Sequence, residues 1–212
     1  MGSDHTGLLI DWGGVMTTNL FTAFGAFCAA EGVVPDTLRD AFRSDRETRE
    51  ALIAFEEGRM EDDVFAARLA AVLGLAPERA EGLLDRMMGG AAVEPEMVDM
   101  VRSARAAGIR TGLVSNSWGV GRYPAALVTE LFDATAISGR EGFRKPDPRM
   151  YALGAERIGV AAQRCVFVDD LAFNLKPAAE LGMATVLHAD PPATIARLEV
   201  LLGTALRGGR VA

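Results

Sequence analysis

Five short apolar runs without helical spacing, separated by amphipathic stretches, predict an α/β protein built on a parallel sheet with helices on both faces. A parallel strand buried on both sides reads as a continuous apolar run, and the runs ending at Ile10 and Val168 are of this kind. A third observation modifies the plan. Between the first and second runs lies a block of helical periodicity that no strand interrupts, and an all-helical insertion after the first strand accounts for it economically.

Leu8–Ile10 is the first strand, and its polar break begins at Asp11 and continues through Gly13 and Gly14. Phe21, Phe24, Phe27 and Cys28 then recur at helical spacing, with Gly32 and Pro35 as stop and start signals. The phenylalanine stripe reads as core of the insertion, with its face near Trp12 available to a pocket. Helices are expected over Thr37–Phe42, Glu47–Glu57, Glu61–Leu73 and Pro77–Met88, where apolar faces alternate with Asp, Glu and Arg. Pro95 opens a helix over Glu96–Ala107, Gly108 ends it, and Ile109–Val114 is the second strand. Regular alternation follows: helix Pro124–Leu131, strand Ala134–Ile137, helix Pro148–Ile158, strand Cys165–Val168, helix Asn174–Leu181, strand Ala184–Leu187 and helix Pro192–Leu201. The tail GTALRGGRVA is expected to fray.

Bulk properties narrow the function. The 212 residues suffice for one large domain or a core with a smaller insertion, and a hydrophobic content of 50% argues against disorder. A net charge of -7 argues against general binding of nucleic acid or anionic membrane, which requires basic surfaces. Cys28 and Cys165 are far apart in apolar stretches and read as buried thiols in a reducing compartment. With no signal-like start and no span-length apolar segment, a cytoplasmic location is expected, as monomer or homodimer.

Polar clusters follow the strands: Asp11, then Ser115 and Asn116, then Arg144 and Lys145 in GREGFRKPDPRMY, then Asp169 and Asp170 in VFVDDLAFNLKPAAELGM. Right-handed crossovers return every strand in one direction, so all four belong at one sheet edge, where open α/β sheets bind ligands. Three carboxylates, a lysine, a hydroxyl and an amide suit phosphoryl transfer, which needs a placed nucleophile and cationic charge. Magnesium, with its preference for hard oxygen ligands, fits the carboxylates. Each cluster alone has a plainer reading: Asp169-Asp170 as a helix cap, Ser115-Asn116 as a turn, Lys145 as a solvated charge, Arg140 and Arg144 as surface or entry charge. His188 reads as a loop residue and Trp118 as a rim or packing residue.

In combination, the order Asp11, Ser115-Asn116, Lys145-Pro146 and VDDxxxN resembles the haloacid dehalogenase superfamily of hydrolases. SNSWG, KPDPRMY and VFVDDLAFNLKPAAELGM look most like the phosphatase domain at the N-terminus of soluble epoxide hydrolases and its free-standing bacterial relatives. The resemblance implies a Rossmann-like core over 1–17 and 91–212 and a helical cap over 18–90. It implies Asp11 as the nucleophile that becomes an aspartyl phosphate and as a magnesium ligand, beside the Gly13 carbonyl and Asp170. Gly13, Gly14, Ser115, Asn116 and Lys145 would bind the phosphate of a small phosphorylated metabolite, and Lys145 would also neutralise charge on Asp11. Asp169 and Asn174 would orient Asp170 from beside or behind. One departure stands out. Gly13 occupies the place where most phosphatases of the superfamily carry a second Asp as general acid, a group worth roughly 100-fold to 10,000-fold in rate. A phosphate-binding protein without turnover and a carbon-halogen hydrolase are therefore the alternatives, the second disfavoured by Asp170 and by the lack of a Tyr at position 13.

Overall fold

The structure, a computed structural model, describes residues 4–206. Its five strands, β1 (Gly7–Ile10), β2 (Arg110–Ser115), β3 (Ala134–Ile137), β4 (Cys165–Asp169) and β5 (Ala184–Leu187), form one all-parallel sheet in the order β3-β2-β1-β4-β5. The helices are α1 (Leu20–Ala30), α2 (Thr37–Ser44), α3 (Arg46–Glu56), α4 (Asp62–Val72), α5 (Leu83–Met88), α6 (Pro95–Ala106), α7 (Ala125–Leu131), α8 (Ser138–Glu141), α9 (Pro148–Arg157), α10 (Ala172–Glu180) and α11 (Pro191–Leu202). The expected α/β fold with all five strands is present. Of the tail expected to fray, the part from 207 on lies outside the described residues.

Alternation along the strands builds two cores, because successive side chains point to opposite faces. Leu8, Ile10, Val166 and Val168 pack with Met97 and Val101 of α6 and Leu198 of α11. Leu9, Val114 and Phe167 pack with Met150 and Tyr151 of α9 and Ala178 of α10. Gly154 lets α9 lie close against the sheet, since a Cβ there would come within 2.6 Å of Val114 Cγ2.

Helices α1 to α5 have a third apolar cluster of their own, including Phe24, Phe27, Leu38, Phe55, Phe65, Leu69 and Leu83. The chain enters and leaves this block side by side: Thr17 bridges Val93, Thr18 N–H donates to Ala92 C=O at 2.8 Å, and Glu94 N–H donates to Met16 C=O at 2.9 Å. Two of the contacts that fasten the block over the sheet come from the segment after β2. Trp118, in the loop after β2, inserts among Phe24, Phe42, Phe55 and Phe65 with ring centroids 5.1 to 6.3 Å away, and Arg122 pairs with Asp62 of α4 and Asp85 of α5. The single helix expected over 77–88 is instead a 3-10 turn at Pro77–Ala80 followed by α5, broken at Gly82, whose φ of 62° is left-handed. The four-residue α8 was not signalled by any periodicity, being only one turn long.

Candidate active site

Because β1 is central and paired on both sides, its carboxyl end opens between those of β2 and β4, and Asp11, Ser115 and Asp169 emerge together. Asp11 N–H donates to Val168 C=O at 3.0 Å, which extends the β1–β4 pairing up to the nucleophile candidate. The loop before α9 delivers Lys145 to the same place.

The centre is a buried charge cluster. Lys145 Nζ lies 2.9 Å from Asp11 Oδ2 and 2.6 Å from Asp169 Oδ2, with the lysine side chain fully buried. Asp169 is held from behind by Asn174 Nδ2, at 3.0 and 3.1 Å from its two oxygens, and by Leu171 N–H at 2.9 Å. Asp11 Oδ1 accepts from Trp12 N–H at 2.7 Å. Carboxylate oxygens of Asp11, Asp169 and Asp170 fall within 4.8 Å of one another. Three carboxylates against one ammonium leave two negative charges in excess, and the acidities register it. Burial pushes Asp11 up to about 7 against the pull of Lys145, with Asp169 and Asp170 adding to the rise. Asp170 is pushed up to about 6 by burial and then by Asp169. For Lys145 burial opposes the charged form, but Asp11 and Asp169 outweigh it and the net shift is upward. A hard divalent cation is what such an oxygen cluster fits, because Asp169 has both oxygens engaged while Asp11 and Asp170 retain free lone pairs.

The polar residues around the cluster differ in part from expectation. Asn116 lines the cavity, but its amide is taken at both ends by the Lys145 backbone: Nδ2 donates to Lys145 C=O at 3.1 Å, and Oδ1 accepts from Lys145 N–H at 2.8 Å. Its side chain therefore braces the lysine loop, with one Nδ2 hydrogen spent on it. Ser115 Oγ accepts from the Tyr123 hydroxyl at 3.0 Å and faces the cavity. Gly14 does not offer its N–H to a ligand, since it donates to Thr17 Oγ1 at 3.1 Å inside the turn. What Gly14 supplies is a φ of 76° and room: a Cβ there would strike the Asp170 carboxylate. Gly13 lines the cavity with an ordinary φ, and Leu20 occupies the space where its side chain would begin, a Cβ coming within 2.6 Å of Leu20 Cδ1.

Above the cluster lies a cavity of about 550 Å³ between the sheet edge and the helical block. Trp12, Leu20, Phe21, Phe24, Phe42 and Trp118 make much of its wall, and Arg39, Arg43 and Arg49 stand on its helical side. Phe21 thus departs from the core stripe expected of it: it is 43% exposed, while Phe24 and Phe27 are buried. Arg144 also lines the cavity, whereas Arg140 does not. Its partner is a residue that sequence reasoning missed, Glu56 of α3, 4% exposed and with Oε2 2.6 Å from Arg144 Nε. The available signal was positional. Thr48, Ala51, Phe55 and Glu56 form the buried stripe of α3, so a glutamate stands on an apolar helix face. His188, bonded through Nδ1 to Thr194 Oγ1 at 2.8 Å, and His5 lie outside the cavity wall.

A family model of haloacid dehalogenase-like hydrolases matches residues 5–182. The chain belongs to this family. As a haloacid dehalogenase-like hydrolase it is 35% identical over 117 residues to acyl-CoA dehydrogenase family member 10 of Mus musculus, covering 54% of this chain and 11% of that protein. It is 30% identical over 131 residues to bifunctional epoxide hydrolase 2 of Sus scrofa, covering 58% and 24%. The match thus spans a quarter or less of these two relatives. Sesquiterpene phosphatase astK of Aspergillus oryzae is 26% identical over 152 residues, with 70% of this chain and 78% of that protein covered. Among solved structures, the hydrolase fold is shared with a family enzyme of Bacteroides thetaiotaomicron in complex with magnesium and inorganic phosphate (TM-score 0.61, 19% identity, 87% and 94% covered). It is shared equally with L-2-haloacid dehalogenase of Xanthobacter autotrophicus carrying covalently bound chloropropionic acid (TM-score 0.62, 21% identity, 98% and 84% covered). No helix of the described residues is long and apolar enough to cross a membrane.

Proposed function

We propose that this hydrolase is a magnesium-dependent phosphatase that cleaves a small phosphomonoester through an aspartyl phosphate on Asp11. The observation that carries the reading is Lys145 Nζ held between Asp11 and Asp169, with Asp170 beside them, at the floor of a cavity. The carboxylates in excess over the single ammonium favour a bound cation, which serves phosphoryl transfer and is not required for halide displacement at carbon. Phosphatase relatives support the same choice.

In this reading residues 18–90 act as a cap over the core of 1–17 and 91–212. Asp11 and Asp170, with the Gly13 carbonyl, hold the magnesium ion. When bound, the ion offsets the repulsion between carboxylates and phosphate. Asp11 attacks phosphorus, and Lys145 favours its ionised form while neutralising a phosphate oxygen. Ser115 donates to another oxygen, Asn116 fixes the lysine loop, and Asp169 with Asn174 fixes the ammonium. The apolar wall favours a substrate with an apolar organic portion, and Arg39, Arg43 and Arg49 raise the local concentration of anions.

A panel of phosphorylated metabolites, from sugar to apolar esters, tests this with magnesium or a chelator present. Magnesium-dependent release of inorganic phosphate is expected. Chelator-insensitive halide release from 2-haloacids would move the assignment to the dehalogenase reading, and tight phosphate-ester binding without release to the binding protein.

A further inference from the structure

The phosphatase reading leaves one proton without a source. When the ester P–O bond breaks, its electron pair goes to the leaving oxygen, and Gly13 has no side chain to protonate it. Among the described residues the same cavity wall carries one other buried carboxyl group, and it comes from the helical block. We propose that Glu56, in its protonated form, supplies the leaving-group proton, a role that rests on the phosphatase reading.

Its anchoring, its incomplete hydrogen bonding and its acidity support this. Glu56 is tied to the core at the catalytic edge: its C=O accepts from Ser138 Oγ, which in turn accepts from Ser117 N–H at 2.8 Å, two residues after Ser115. The chain turns away immediately afterwards, with Gly58 packed so closely on Gly139 that a Cβ would meet the Gly139 carbonyl. The backbone that carries Glu56 is thus anchored to the core, and its side chain lines the same cavity as Asp11. Its hydrogen bonding is also incomplete. Oε2 and Arg144 Nε are 2.6 Å apart yet not aligned for an N–H···O bond, and each is buried without another hydrogen-bond partner. Burial raises Glu56 to about 7, with Arg144 and then Lys145 pulling down and Glu57 pushing up, so that both protonation states are reached near neutrality. Arg144 then has a defined part, stabilising the carboxylate that appears as the proton leaves.

The steps balance. Asp11 bonds to phosphorus, the ester oxygen departs with its electron pair and takes the Glu56 proton, and an alcohol is released. Glu56, now a carboxylate, accepts a proton from water as the water oxygen bonds to phosphorus. The P–O bond to Asp11 breaks, its pair returns to Asp11, and phosphate leaves with Glu56 reprotonated.

The test compares kcat/KM, which reports steps through the first P–O cleavage, for a nitrophenyl phosphate and a primary alkyl phosphate in magnesium. Nitrophenolate departs without a proton and an alkoxide does not. Glu56→Gln is expected to lower alkyl turnover by roughly 100-fold to 10,000-fold while leaving aryl turnover within about tenfold. Equal losses on both esters, or no loss on either, would overturn the proposal, the first outcome making Glu56 a mere anchor for Arg144. Should Glu56→Gln fail to fold, Glu56→Asp carries the same test, because it keeps the charge and withdraws the acid by one methylene. Gly13→Asp with Leu20→Ala in the Glu56→Gln background is expected to restore part of the alkyl activity, since Leu20 is the obstacle and the backbone at Gly13 is not. If Asp11→Asn keeps wild-type turnover, the phosphatase reading itself fails and the inference falls with it.

Discussion

Replacing Lys145 with methionine removes the only ammonium from the carboxylate cluster at nearly constant volume. Lys145 is fully buried, with two carboxylates at 2.9 and 2.6 Å. Removing one partner of a buried ion pair costs about 3–5 kcal/mol, because the remaining charge is stranded. At roughly 2–4 °C per kcal/mol for a domain of this size, the melting temperature should fall by about 6–20 °C. The loss should depend on pH. A carboxyl group whose folded pKa lies above its unfolded value weakens the fold progressively as pH rises from the unfolded toward the folded value. Asp11 is already pushed up to about 7 with the lysine present, so without it the group stays protonated to still higher pH. The deficit should therefore be smaller at pH 5, where Asp11 carries a proton and only the Asp169 pair is lost, and largest at pH 8, where both pairs are lost. Differential scanning calorimetry in chelator across this range measures it. Equal melting temperatures at pH 8, or a deficit that grows toward pH 5, would refute the charge cluster as described.

Other perturbations isolate single contacts. Asp170→Ala should weaken magnesium binding and phosphate release together, since magnesium is held by only one or two protein carboxylates, and calorimetric titration reads the first directly. Gly14→Ala should destabilise by about 1–3 kcal/mol from the left-handed backbone alone, and should reduce magnesium affinity besides, because its methyl group displaces Asp170; unchanged affinity would separate the turn from the metal site.

The parts legible in the sequence were those written locally. LLI before Asp11 and CVFV before Asp169 are buried on both faces, and a double-sided burial leaves an unbroken apolar run. The polar residues that terminate those runs converge because parallel topology sends every carboxyl end to one edge. What stayed hidden depends on contacts between distant segments. Asn116 follows a strand like any turn residue, and nothing near it announces that its amide bonds to Lys145, 29 positions away. Glu56 looks like one of several acids on a charged helix until its place on the buried stripe is noticed, and its partner Arg144 lies far along the chain. Trp118 showed the same limit: its aromatic neighbours all come from helices that precede it by more than fifty residues.

The proposed function turns on covalent phosphorylation of Asp11. Wild-type protein mixed with a hydrolysable phosphomonoester and magnesium, quenched in acid and digested, should yield a phosphorylated peptide containing Asp11 that hydroxylamine strips of its phosphate. Asp11→Asn should yield none and should release no phosphate while keeping the wild-type fold. Turnover at the wild-type rate in Asp11→Asn, or rapid turnover by wild type with the label on another residue, would contradict the account.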